Sequence, residues 1–198
     1  VAGAAALLRQ MYPDFSAKQI KSMLMTSANP NVTDLEDGEV VPATPFDRGA
    51  GRLDISNSTK AGITLDKPSL VSNGCVVSCD FTRVVTNLSD ADVEWNVSAE
   101  MDSLNATVDA PSTLAIEADG TAELSLSVNT EYASVGWTFG TVTLTDPSGT
   151  FASANIPIAV YASASDSEAI INTVVENGEF AAGATVDMLS TAGATGDS

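Results

Sequence analysis

The chain has 198 residues, enough for one domain or two small ones, and its 44% apolar content can build a buried core. Eight basic residues against 26 acidic ones leave a net charge of −18. Nucleic acid and anionic membrane both require a positive surface, so this balance argues against either as a partner and suits a soluble extracellular protein.

The first stretch, Val1 to Ala28, reads as two helices joined by a turn. From Val1 to about Met11 the sequence is apolar almost all round, and the first charge is Arg9. Such a helix normally lies buried. It falls short of the roughly 20 apolar residues of a membrane span. It also lacks the basic leader and cleavage site of a signal peptide, so any targeting signal is expected upstream. Pro13 ends the helix. Ser16 fits an N-cap with Gln19 as its capping-box partner. Ile20, Met23, Leu24 and Ser27 then follow at helical spacing, with Lys18 and Lys21 on the other side.

Residues 29–45 read as loop, with a small acidic cluster at Asp34, Glu36, Asp37 and Glu39. Carboxylates on a loop can hold calcium, but this spacing is not that of an EF-hand, and a solvated loop is the simpler reading. Gly49-Ala50-Gly51 allows close backbone approach or positive φ. Leu53 and Ile55 begin an extended segment, and residues 57–62 read as a crossing between domains.

From Ile63 the apolar period changes from helical to alternating. Val93, Trp95, Val97, Ala99 and Met101 alternate with polar residues, as do Ala122, Leu124, Leu126 and Val128. One face is buried and one is wet, the pattern of an antiparallel sandwich. Trp95 could serve as a ligand platform, but its place in the alternation makes it core. Trp137 and Phe139 are expected inward, with Val142 and Leu144 on the opposite parity and a bulge at Gly140 to repair the phase. Asp146 to Gly149 is a turn. Ala152, Ala154, Ile156, Ile158 and Val160 form a last strand, and Pro157 places either this strand or that position in it at an edge. With strands near residues 63–66, 76–88 and 113–117 the count is about seven, the number in immunoglobulin-like and fibronectin-III-like sandwiches.

Cys75 and Cys79 suggest one structural disulfide, with free thiols as the alternative. Four extended residues would span roughly 13 Å, so the chain must bend between them, and Asn73-Gly74 points to a turn region. With no histidine and no further cysteine, a zinc site would lack ligands. Sequons occur at Asn31, Asn57, Asn87, Asn96 and Asn105. After Tyr161 the text becomes rich in Ala, Ser, Gly and acids, first as linker. Val174-Val175 and residues 184–186 are candidate strands of a further β-module.

Several stretches together resemble one family. V-A-G-A-A-A-L-L, Y-P-D-F-S and I-K-S-M-L-M-T-S-A resemble the end of a subtilisin-like serine protease catalytic domain. There the helix starts at the nucleophilic serine, in a motif of the form G-T-S-M-A-x-P-H-V-A-G. Val1-Ala2-Gly3 would be its last letters. Pro45 to Gly51 looks like the family's P-x-D-x-G-A-G segment. Thr82 to Asn87 resembles the T-R-T-V-T-N of the fibronectin-III-like domain that follows in plant-type subtilases. Phe139-Gly140 and Ile156-Pro157-Ile158 sit where that domain has its F-G and S-P-I.

The resemblance implies a mainly β chain: a fibronectin-III/immunoglobulin-like β-sandwich at 62–161, preceded by a two-helix remnant of an α/β subtilisin-like domain at 1–61. Residues 162–198 are a linker or the start of a further β-module. It implies a secreted serine endopeptidase as parent, acting on protein or peptide substrates and needing no cofactor, though subtilases often bind calcium. The nucleophile is expected just upstream of Val1. With no histidine in the chain, a triad cannot be assembled from it. Lys18, Lys21, Lys60 and Lys67 could in principle replace the base, but none is placed where burial would activate it. The other reading is a non-catalytic extracellular binding or adhesion module. The apolar helices are also expected to self-associate, or to dock on the sandwich.

Overall fold

The computed structural model describes residues 1–163. The candidate strands at 174–175 and 184–186, and nearly all of the third segment, lie outside the described residues.

The strict alternation from Val93 forms β6, Val93–Met101, with Trp95 fully buried as expected. It belongs to a five-stranded sheet. Its other members are β4 (Leu70–Cys75), β8 (Thr113–Ile116), β10 (Gly136–Thr145) and β11 (Ala154–Ala162), in the order β4-β11-β10-β6-β8. A four-stranded sheet faces it: β3 (Ile63–Leu65), β5 (Ser78–Asn87), β9 (Thr121–Asn129) and β7 (Thr107–Asp109), in the order β3-β5-β9-β7. Leu124 and Val128 from one sheet meet Val142, Leu144, Ile156 and Ile158 from the other, all fully buried. The two sheets make the β-sandwich that the sequence implied.

Three details differ from the sequence reading or narrow it. No bulge interrupts β10, whose pairing with β11 runs unbroken from Gly136↔Ala162 to Leu144↔Ala154. Its inward parity is Thr138, Gly140, Val142 and Leu144 throughout. Trp137 and Phe139 therefore point outward, and a polar threonine occupies the inward place before Gly140. A Cβ at Gly140 would collide with the Glu100 carbonyl and the Met101 side chain, so its glycine serves close strand contact. β11 itself is an inner strand, between β10 and β4, so of the two readings of Pro157 it is the position and not the strand that lies at an edge. The parallel ladder to β4 begins only at Ile158↔Leu70, so Pro157 stands just beyond it, where the strand has one neighbour. Finally, β4 and β7 bring the sandwich to more strands than the alternation revealed.

The presumed turn at Asn73-Gly74 belongs to β4; the chain bends after it. Cys75 ends β4 and Cys79 lies on β5 of the opposite sheet, and the two are joined by a disulfide with Cα atoms 5.5 Å apart. Val77, at φ 69°, makes the corner between them.

N-terminal to the sandwich lie α1 (Ala2–Met11) and α2 (Ala17–Thr26). The Ser16–Gln19 capping box forms as expected. The segment read as loop contains a hairpin, β1 (Thr33–Glu36) and β2 (Glu39–Pro42). Its turn is Asp37-Gly38, both at positive φ, as a two-residue hairpin turn requires. Two single-turn helices follow, α3 (Pro45–Arg48) and α4 (Ile55–Ser58), the latter where extended chain was expected. Asp54 caps α4 through Asn57 N–H at 3.0 Å, which explains the change.

The turn after β10 rests on Asp146. Its carboxylate accepts from the N–H groups of Ser148, Thr150 and Phe151, each at 2.9 Å, and from the Ser148 hydroxyl at 2.7 Å. Burial works to raise its pKa, but those bonds, led by Phe151 N–H, outweigh it and hold the carboxyl below the usual carboxylate range. A pKa lowered by folding gives stability that is present above the unfolded value and is lost as pH falls through the folded one. Asp146→Asn should therefore cost about 1–3 kcal/mol at neutral pH. The difference from the parent should shrink as pH drops below the carboxylate range. Urea denaturation at both pH values checks this.

The disulfide closes a very short loop. Its reduction should lower stability by less than the roughly 3 kcal/mol expected for a 15-residue loop. Thermal melts with and without reductant measure it.

Candidate functional site: the seam between the N-terminal segment and the sandwich

Two apolar side chains of α1, Ala4 and Leu8, pack on Ile20, Met23 and Leu24 of α2, and Tyr12, Phe15, Ile55 and Ala61 pack against this cluster. Ala4, Leu8, Met23 and Leu24 are thus covered. Leu7 and Met11 remain more than half exposed, at 54% and 56%. On the outer side of the pair an apolar trough of about 760 Å³ runs between Val1, Ala5, Ile20 and Leu24.

α2 packs against the sandwich through a buried polar bond. The Ser22 hydroxyl accepts the N–H of Leu65 at 2.8 Å, although the two lie 43 residues apart. Ser27 and Ser58 share a second buried hydrogen bond at 2.7 Å, and the Tyr12 hydroxyl donates to Thr59 O at 3.0 Å. The crossing itself is stapled at two points. Ala152 N–H donates to Lys60 O in the Ala61–Ala152 bridge, and Leu88 N–H donates to Gly62 O. A Cβ on Gly62 would enter the Phe151 ring, so only glycine fits there.

The P-F-D-R-G-A-G stretch is the second half of the seam. Pro45 opens α3, where its missing N–H costs nothing. The Thr44 hydroxyl donates to Asp47 at 2.5 Å. Gly49 ends the turn at φ 61°, and Gly51, at φ 127°, lies so close to the Asn29 carbonyl that a Cβ would collide. Asn29 and Arg52 exchange backbone hydrogen bonds of 2.8 and 2.9 Å beside it. Phe46 is thereby aimed at the outer face of the five-stranded sheet. Its ring lies edge-on to Trp137 at 4.7 Å and to Phe139 at 5.2 Å, and Trp137 meets Tyr161 at 5.5 Å. The outward parity of β10 supplies this contact.

Lys18, Lys21, Lys60 and Lys67 are all exposed, so none has the buried setting that a lysine base needs. Of the sequon asparagines, Asn31, Asn57, Asn96 and Asn105 are exposed. Asn87 is buried, and its amide donates to Ala91 O at 2.8 Å and Glu117 O at 3.0 Å, which leaves no room for a glycan. Ser22 and Phe46 are the seam residues that the sequence reading passed over. A serine between Ile20 and Met23 on an inward helix face was the available signal for the first.

A β-sandwich with a helical segment clamped across it is one class of molecule, and sequence comparison places it further. No family model matches the chain. Subtilisin-like protease SBT2.6 of Arabidopsis thaliana is 23% identical, in a match covering 73% of this chain and 24% of that protein. SBT1.7 of the same plant is 39% identical over 33% of this chain and 9% of that protein, and SBT3 of Solanum lycopersicum 31% over 41% and 11%. Among solved structures, the secreted serine protease VesC of Vibrio cholerae matches 59% of this chain and 26% of its own, at 13% identity and TM-score 0.41. A Caenorhabditis elegans MSP family member matches 52% and 99%, at 17% and 0.36. The chain is thus similar to plant subtilisin-like proteases. It spans about a quarter of the length of the first such relatives, 24% in each case.

Leu65 N–H has Ser22 as its acceptor in a site closed to water. Ser22→Ala should cost about 1–3 kcal/mol, the penalty of a buried donor left unpaired. The Leu65 amide should also exchange with solvent faster than in the parent. Denaturation and hydrogen exchange read the two effects separately.

Proposed function

We propose that this chain is the C-terminal part of a secreted subtilisin-like serine endopeptidase. In this reading residues 1–61 complete the catalytic domain, and residues 62–161 are a fibronectin-III-like accessory domain that braces it. The similarity to plant subtilisin-like proteases across 73% of the chain carries the reading. The seam supports it, since α1 and α2 are held firmly against the sandwich on one side and leave an apolar trough on the other. The rest of the catalytic domain would cover that trough. In the isolated chain the same surface would let copies associate. That no helix among the described residues is long and apolar enough to cross a membrane is compatible with secretion.

The activity would belong to the longer protein. Its serine would precede Val1, at the start of α1, and would be acylated by the peptide or protein substrate. The base and the orienting carboxylate would come from further upstream. The 198-residue chain holds no histidine and would be inactive alone. A fluorophosphonate probe should leave it unlabelled. A longer chain carrying the upstream segment should label once, at the serine before Val1. Stoichiometric labelling of the 198-residue chain would overturn this reading.

A further inference from the structure

Beyond Arg83 the chain carries no lysine or arginine at all, and half of its eight basic residues converge on one cleft. Lys18 and Lys21 reach it from α2, Lys67 from the connection between β3 and β4, and Arg83 from β5. The cleft holds about 390 Å³. One acid, Asp66, borders it, and its Oδ1 accepts the Val84 N–H at 3.0 Å. Met25, Pro68 and Val71 form an apolar wall beside the cations.

Arg83 marks the cleft as more than a solvated surface. It is only 8% exposed, on the inward parity of β5. Arginine is almost never so buried unless paired. Its hydrogen bonds go to backbone carbonyls: Nε and Nη2 to Ser69 O at 3.2 and 2.7 Å, and Nη1 to Thr82 O at 2.8 Å. These use fewer N–H groups than a guanidinium carries. Burial lowers its pKa while the charge of Asp66 works the other way. The carbonyls explain how Arg83 is held. They do not explain why three lysines of so acidic a chain gather above it, where like charges repel.

We infer that this cleft binds a carboxylate-bearing segment of polypeptide, its acid group among Lys18, Lys21, Lys67 and Arg83 and its hydrocarbon stem against Met25, Pro68 and Val71. A small inorganic anion would satisfy the cations and leave the apolar wall wet. A glutamate side chain matches both halves of the lining. The net charge of the chain does not forbid this. At physiological ionic strength charges more than about 8 Å away are largely screened, so the nearby cations decide.

The test uses the whole 198-residue chain and three probes: a blocked tetraglutamate peptide, the corresponding tetraglutamine peptide and inorganic phosphate. Calorimetry at about 0.1 M salt should show binding of tetraglutamate alone, weakening as salt rises. The Lys21→Ala, Lys67→Ala double variant should keep the parent's melting behaviour, because both side chains are exposed, and should bind tetraglutamate about tenfold more weakly. Lys60→Ala, which lies outside the cleft, should bind as the parent does. Equal binding of tetraglutamine, undiminished binding by the double variant, or phosphate binding as tightly as the peptide would each overturn the inference. So would no binding of tetraglutamate at all.

Discussion

β3 is an edge strand of the four-stranded sheet, and the N–H of Leu65 on it points away from the ladder into a place closed to water. An unpaired donor there would cost more than most surface contacts return. Ser22 of α2 answers it, so the helix pair covers the very edge that an isolated sandwich would expose. The position of α2 then fixes the rest of the seam. With α2 on β3, Ser27 meets Ser58, the crossing at residues 58–62 lies against Phe151, and α3 can bring Phe46 to Trp137. A sandwich of this sequence is thus completed by residues that precede it.

The residues that carry the family resemblance are largely these structural ones. Gly51 is required by the Asn29 carbonyl, and Pro45 and Asp47 shape α3. In T-R-V-V-T-N, Arg83 reaches Ser69 across the sandwich, while Asn87 ties β5 to the end of β8 through the Glu117 carbonyl. Arg83 and Asn87 fall on the same inward parity as Phe81 and Val85. Polar residues on a core-facing parity are costly unless bonded, and here each is bonded to backbone. The residues quoted for the resemblance thus act here by packing and by holding backbone.

How much of this was legible varied with the physics of each element. β6 and β9 were plain because one face is wet and the other dry, so the alternation is visible in the letters. β10 misled because its outer face is not wet. Phe46 and Tyr161 pack there, so both faces carry large side chains and a phase slip was read where the strand is regular. β11 left its place open for the same reason: it is buried on both faces in its middle, and Pro157 alone did not say whether the strand or only that position lies at an edge. The Asp37-Gly38 turn was a local signal that went unused, because the flanking strands are exposed at every residue but the half-buried Val41 and show no alternation. The seam was the hardest part, since Ser22 and Leu65 are joined only once the whole sandwich exists.

β4 shows why the corner at Cys75 is built as it is. It pairs in parallel with β11 over a short stretch, the weaker form of ladder, and its register shifts near Ala162. Among the described residues nothing pairs with its other edge. Left to that ladder alone, such a strand would be the first to peel away. Both its ends are instead tied to β5 in the opposite sheet. Arg83 holds Ser69 just before β4 begins, and Cys79 holds Cys75 where it stops. The Thr130 hydroxyl adds a bond to Cys75 O at 3.2 Å. β4 and β5 are therefore consecutive in the chain yet never paired, and the disulfide corner with its left-handed Val77 is the shortest route between the two sheets. The same tie that secures the start of β4 also buries the Arg83 guanidinium at the floor of the lysine cleft, so the stability of the edge strand and the charge of that cleft rest on one side chain.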